Sequence, residues 1–220
     1  MPDALRLTGY GPSVYTWVVR LALAELGADY TYVEVDPFAE DGRAELPPLH
    51  PFGRVPVLAH GDFTIWETAA ILDYIDAEIA GGRMTPVAPQ ARARMRQVIG
   101  IVDAYGYWPM VRQVFANRVF RELDGAPVDE AEIAAGMERA APVLTALEAI
   151  AAEGLVLDAV RVTLADCHLV PMLTYFAKAP EGALALKRCP ALGTWLAAMH
   201  ARPTISNTMP DLGAEMTGET

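Results

Sequence analysis

The sequence predicts a two-part fold: α/β over residues 1–80 and all-α over 90–220, with a linker at 81–89. Three observations carry this. Residues 5–35 read strand, helix, strand. Residues 50–79 read turn, strand, hairpin, strand, helix. Beyond a run of breakers, Ala80-Gly81-Gly82-Arg83-Met84-Thr85-Pro86 with Pro89 behind it, every apolar pattern has the helical period.

Taken in order, Leu5 to Thr8 is a short strand and Gly9-Tyr10-Gly11-Pro12-Ser13 a turn. Val14, Trp17, Val18, Leu21 and Ala22 share one helical face, Ser13 suits the N-cap and Gly27 the C-cap. Tyr30 to Val35 alternates like a strand. Gly9-x-Gly11 at this place invites a dinucleotide reading, but Val14 holds the third glycine's position and no second βαβ half follows. Residues 36–48 read as a polar, proline-containing connection.

The stretch from His50 to Tyr74 is the centre of the chain. His50-Pro51-Phe52-Gly53 turns into an apolar strand, Val55 to Ala59. His60-Gly61-Asp62 is a tight hairpin signal, and Phe63 to Trp66 is the return strand. Glu67 and Thr68 open a helix with Ala70, Ile71, Tyr74 and Ile75 on its apolar face. Pro56 removes one ladder donor at a strand start. Thr68 reads as an N-cap, behind which free N–H groups attract an anion, and Glu67 suits a cation. Such a place can grip one end of a zwitterionic peptide while the Val55 backbone pairs with its middle.

The second half reads as helices over 90–123 with a kink at Pro109, 129–153 with a kink or break at Pro142, 163–178, and 190–201. Thr163-Leu164-Ala165-Asp166 has the capping-box spacing, and Arg202-Pro203 stops the last helix.

The totals exclude several classes. The 17 basic residues face 28 acidic ones, a net of -11, which argues against nucleic acid or an anionic membrane as partner. With 53% hydrophobic residues and a mean hydropathy of +0.21 the chain is globular, yet no apolar run spans a bilayer, Asp103 interrupting the longest. Met1 to Leu7 carries an acid where a signal peptide needs a positive charge. Two cysteines, Cys167 and Cys189, make no disulfide framework, so reduced, buried and cytoplasmic is the expectation. His50, His60, His168 and His200 have no metal-ligand spacing: His60 reads as a turn residue, and Cys167-His168 as part of a packed helix.

The ordered set of motifs resembles the glutathione transferase family. Its N-P-x-G-K/Q-V-P-x-L turn and strand stands here as His50-Pro51-Phe52-Gly53-Arg54-Val55-Pro56-Val57-Leu58, and its E-S pair as Glu67-Thr68. Its S/T-x-x-D box is Thr163 to Asp166, and its proline-led helix with a tryptophan ending in A-R-P is Pro190, Trp195 and Ala201-Arg202-Pro203. The likeness covers nearly the whole chain. It implies a thioredoxin-like N-terminal domain with a cis Val55–Pro56 bond, a helical C-terminal domain, glutathione as co-substrate, no metal, a homodimer and a detoxification role.

What the resemblance implies for residues is specific. Arg54, Val55, Pro56, Glu67 and Thr68 would hold glutathione, with Arg54 at the glycine end. Phi-class enzymes carry a further basic pair near position 41, where this chain has Asp41 and Gly42, with only Arg43 close. Theta, phi and zeta classes place a serine where Ser13 stands, 17 residues before an aromatic matching Tyr30. The thiolate donor is then Ser13, with Tyr10 the nearer match among tyrosine-type rivals and Tyr15 the other. A bland reading stands beside it: Ser13 caps a helix, a role compatible with catalysis. Tyr105, Tyr107, Trp108, Arg112 and Phe115 fall where the family's first long helix faces its ligand cleft. An aromatic stripe at this spacing is either core or, through Tyr107, Trp108 and Phe115, an electrophile pocket. Two other functions remain open. A zeta-type glutathione-dependent isomerase would have a serine-serine-cysteine run where Pro12-Ser13-Val14-Tyr15 stands. A non-catalytic glutathione-binding or ligand-binding protein would keep the same fold.

Overall fold

A computed structural model describes residues 4–123 and 125–212. The described chain forms two compact units. One holds the residues up to Arg83 and those from Thr204 on; the other is Met84–Pro203.

In the first unit β1 (Leu5–Gly9), α1 (Val14–Leu26), β2 (Thr31–Glu34), α2 (Glu40–Glu45), β3 (Val57–His60), β4 (Phe63–Trp66) and α3 (Thr68–Glu78) follow in order. The sheet order is β2-β1-β3-β4, with β1 and β2 parallel and the other pairs antiparallel. This is the thioredoxin-like arrangement expected. The apolar faces read from the sequence largely pack it: Leu7, Trp17, Val18, Leu21, Leu58, Ile71 and Ile75 are wholly buried, while on α3 Ala70 and Tyr74 are half-buried and Leu72, not read there, is buried. Ser13 Oγ accepts from the Thr16 N–H at 3.3 Å, and Gly27 ends α1 at φ 63, a left-handed position that favours glycine. His60 closes β3 opposite Phe63, so the hairpin loop is Gly61-Asp62 alone. The Val55–Pro56 bond is cis.

Helix α2 departs from the expected connection. Within the helix and its caps the buried apolar side chain is Leu46 alone, so its six residues carry no periodic signal. The helix is set by a close approach instead. A Cβ at Gly42 would lie 1.9 Å from the Asp36 carbonyl oxygen, so only glycine fits there. The last helix, α10 (Pro203–Thr208), also differs. Pro203 does not end helical structure but opens a new helix, since a proline at its first position loses no intrahelical bond. The residues from Thr204, expected with the helical half, group with the first unit. There the Trp17 Nε1–H donates to Thr208 Oγ1 at 3.0 Å.

The second unit is helical. α4 (Pro89–Ile101) runs on through wider π-type turns at Val102–Gly106 and Trp108–Phe120 to α5 (Arg121–Leu123). Pro109 sits in those turns, where its missing N–H breaks the ordinary ladder. α6 (Glu130–Glu153) is not broken at Pro142. α7 (Leu164–Lys178) is the core helix, with every residue from Leu164 to Phe176 buried. α8 (Pro180–Leu186), which follows it, was not legible; α9 (Pro190–His200) was. Among the described residues no helix is long and apolar enough to cross a membrane, and no group of three or more His, Cys, Asp or Glu is placed to hold a metal.

Candidate functional site

Strand register gathers the candidate residues of the first unit. β1 pairs with β3 as far as Thr8 opposite Val57, and β3 pairs with β4 from Val57 opposite Trp66. The next residues outward are Gly9, Pro56 and Glu67. On the other side Gly9 pairs with Glu34. One edge of the sheet, formed by strand ends rather than by an edge strand, therefore carries the turn leading to Ser13, the Val55–Pro56 segment and the start of α3. Backbone groups beyond the last ladder pair there can meet an extended peptide.

The turn from Gly9 to Ser13 is tied at each of its donors. The Tyr10 N–H donates to Thr16 Oγ1 (3.2 Å) and the Gly11 N–H to Glu34 Oε1 (2.9 Å). The Ser13 N–H donates to the Tyr10 carbonyl (2.9 Å). Pro12 has no donor. Ser13 Oγ accepts as the cap, which leaves its hydroxyl proton to donate into the edge, beside the positive end of α1. The Tyr10 ring meets Phe38 edge-on at 5.9 Å.

Thr68 is not the N-cap expected. The cap of α3 is Glu67, and Thr68 is the buried first residue of the helix. The first backbone bond of α3 runs from the Ile71 N–H to the Glu67 carbonyl, so the N–H groups of residues 68 to 70 have no intrahelical partner. Glu67 itself is exposed and stands at φ 69, ψ 115. A non-glycine residue there is strained by about 1–3 kcal/mol. Arg54 is exposed.

His50 joins these groups, and it was read from the sequence only as part of a turn. It is buried, and its Nδ1 accepts from the Phe52 N–H at 3.1 Å, so the turn into Val55 is anchored by an imidazole. Its ring lies 5.0 Å from that of Trp66. Burial pushes the imidazole below its usual value; the Glu67 carboxylate opposes this and Arg54 adds to it. Thr16 and Glu34 were also missed, because a cap three residues inside a helix and a glutamate ending a strand are ordinary in sequence.

The three aromatic candidates of the helical unit are not brought together. Phe115 is wholly buried, its ring 4.4 Å from that of Tyr175 and 4.8 Å from that of Phe120. It is core, not pocket lining. Tyr107 is half-buried, and Trp108 is 57% exposed. Neighbours on a helix face different ways. Trp108 lines a groove of about 610 Å³ with Tyr105, Pro109, Pro142 and Val143, and with Arg139 as its one cation. The Arg139 guanidinium donates to Gln113 Oε1 at 3.2 Å.

Comparisons with known proteins match this architecture. The family model described as Glutathione S-transferase, N-terminal domain covers residues 4–77, and that described as Glutathione S-transferase, C-terminal domain covers residues 130–198. Glutathione S-transferase 3 of Zea mays is 31% identical over 207 residues, 91% of each chain. Glutathione S-transferase F6 of Arabidopsis thaliana is 26% identical, over 93% of this chain and 99% of that protein. A solved glutathione S-transferase III in apo form has a TM-score of 0.82 at 28% identity, covering 95% of this chain and 97% of that one. The theta class glutathione S-transferase of Xanthomonas axonopodis pv. citri, solved with glutathione bound, has a TM-score of 0.76 at 25% identity, covering 97% of this chain and 100% of that one. With both halves matched and one relative above 30% identity along nearly its full length, the chain belongs to the glutathione S-transferase family.

Proposed function

We propose that the protein is a glutathione transferase, which ionises the glutathione thiol and adds it to a small electrophile. One observation carries the reading: a single sheet edge holds a capped serine hydroxyl, a cis-proline strand start and an exposed, strained glutamate at an open helix N-terminus. Each meets one part of the tripeptide. The three free N–H groups of α3 suit the α-carboxylate of the γ-glutamyl end, and the Glu67 carboxylate suits its ammonium. The Val55 backbone suits the cysteinyl peptide groups. Arg54 suits the glycine carboxylate, without the basic pair near position 41. The relative from Xanthomonas axonopodis pv. citri, solved with glutathione bound, supports the ligand.

Chemistry at the thiol needs only this chain's groups. A free thiol, with a pKa of about 8.5, is mostly protonated at neutral pH. The Ser13 hydroxyl donates to the sulfur, and the N-terminus of α1 favours the anion, so the bound thiol releases its proton to solvent. The thiolate then attacks the electrophilic carbon and expels a leaving group or adds across a double bond. Tyr107 and Trp108 are the proposed electrophile contacts of the helical unit. Tyr10 remains the rival donor. The protein is proposed to work as a cytoplasmic homodimer.

Turnover of an activated chloronitrobenzene by the purified protein tests the enzyme against the non-catalytic binder. Retention on immobilised glutathione tests the site. Glu67→Ala removes the ammonium partner and should abolish retention, a loss of about 1.5–3 kcal/mol or more. Full retention by a folded Glu67→Ala protein would refute the assignment.

A further inference from the structure

We infer that Glu34 is a positioning residue for the thiol chemistry, acting through Gly11 on Ser13. The inference rests on the proposed function and adds a residue to it. Glu34 ends β2, on the sheet edge where Gly9 is its strand partner. Its carboxylate is held at both oxygens. Oε1 accepts from the Gly11 N–H at 2.9 Å, and Oε2 accepts from the Tyr32 hydroxyl at 2.6 Å. The Tyr32 ring is covered in turn by the Arg20 guanidinium, 5.4 Å from its centroid. Gly9 keeps that ring close, since a Cβ there would lie 3.1 Å from Tyr32 Cε2 and 2.4 Å from the Thr16 methyl.

These bonds decide what the turn can offer a ligand. Its three N–H groups, at Tyr10, Gly11 and Ser13, are all engaged within the protein. No backbone donor of residues 10–13 is left for a thiolate, so the donor is a side-chain hydroxyl, Ser13 in the proposed reading, and its place depends on the ties. Of the three, two lie within the turn and its own helix. Of these three N–H bonds, the one to Glu34 is the one that reaches a separate element, the neighbouring strand, beside the Val35 N–H bond to the Gly9 carbonyl (2.7 Å) at the start of the turn. A carboxylate bond to an N–H is about twice as strong as a neutral one, which suits it for holding a tight turn against thermal drift.

Glu34→Gln and Glu34→Ala separate positioning from charge. In Glu34→Gln the amide oxygen still accepts from Gly11, so the turn stays fixed. In Glu34→Ala the Gly11 N–H loses its partner. The readouts are the thiolate absorbance of bound glutathione against pH, kcat/KM for a chloronitrobenzene, and amide hydrogen exchange of residues 11–13 in the ligand-free protein. Glu34→Ala should raise the bound thiol's pKa, lower kcat/KM at neutral pH by about tenfold mainly through kcat, and speed exchange at residues 11–13. Glu34→Gln should stay within about twofold of wild type in all three. Glu34→Ala with unchanged thiol pKa and kcat/KM, or Glu34→Gln as impaired as Glu34→Ala, overturns the inference while leaving the transferase reading intact. A wild-type protein that binds no glutathione overturns the transferase reading itself. In that case faster exchange in Glu34→Ala shows the tie still holding the turn, and the catalytic role assigned to it is wrong.

Discussion

Glu67 is the residue whose backbone says most about the site. At φ 69 and ψ 115 it occupies a region natural to glycine, yet the chain keeps a glutamate there. Strain retained at an exposed position implies that the side chain is needed. Glu67→Gly should therefore stabilise the protein by about 1 kcal/mol, raising Tm by roughly 2–4 °C, after the chain entropy of glycine is deducted. The same variant should lose glutathione binding in calorimetry. A Glu67→Gly protein that binds as before would mean that the strain serves no ligand. Histidine adds a pH dependence. Burial lowers His50 and His200 from their ordinary value of 6.5. Unfolded chains then take up protons before folded ones, so this stability is fully present above 6.5 and is lost as pH falls from there through the lowered folded values. Tm should fall between about pH 7 and pH 5, and fall less steeply in a His50→Gln, His200→Gln double variant. Equal slopes would assign the acid sensitivity elsewhere.

At the scale of elements, the caps carry more than the periodicity does. α7 begins at a capping box that is also a core network. Asp166 is wholly buried and accepts from the Thr163 N–H (2.8 Å), the Thr163 hydroxyl (2.5 Å) and the Trp195 Nε1–H (2.7 Å). Burial raises its pKa, and the Thr163 and Trp195 bonds work against that rise. One carboxylate thus fixes the start of α7 and the packing of α9. Asp166→Ala leaves three buried donors unpaired and should cost about 3–5 kcal/mol, read as a lower midpoint in urea. A loss below about 1 kcal/mol would reduce the box to an ordinary cap. The box was plain in the sequence because its four residues are contiguous. α2 was not, because what shapes it is the contact of Gly42 with the Asp36 carbonyl, and neither residue signals that contact. Phe115 was misjudged for a related reason. A π-type stretch shifts which side chains share a face; Pro109 marks the irregularity in the sequence but not the length of the shift.

At the scale of the whole molecule, both halves and their order were legible, since motif spacing records topology. The four strands, the hairpin, the cis-proline and the capping box came in the order read, with strand ends shifted by one or two residues: β3 runs Val57–His60 where Val55 to Ala59 was expected. The candidate site was legible in outline: Ser13, Val55, Pro56 and Glu67 come to one edge through strand register. What escaped were the residues that hold those groups: His50 and Thr16, which act through side-chain bonds to turn N–H groups that carry no sequence signal, and Glu34, whose role exists only across strands. The charge and surface also bear on assembly. Exposed aromatics outside the groove, among them Phe52 at 67% and Phe38 at 59%, are candidates for burial in a dimer. A net charge of -11 on each chain opposes association, so apolar contact must drive it. Ultracentrifugation should report about twice 23.8 kDa at micromolar concentration, with the dimer tightening as salt screens like charges. A monomer at all salt concentrations would contradict the proposed assembly.

The central claim is that the Ser13 hydroxyl, held at the N-cap of α1, ionises a bound thiol. Thiolate absorbance of bound glutathione, followed against pH, tests it most directly. The wild type should titrate well below the free thiol. Ser13→Ala loses one hydrogen bond to an anion, worth about 1.5–3 kcal/mol, and should raise that pKa by about one to two units. Tyr10→Phe should leave it in place. A raised pKa in Tyr10→Phe with none in Ser13→Ala would contradict the account and leave Ser13 a helix cap alone.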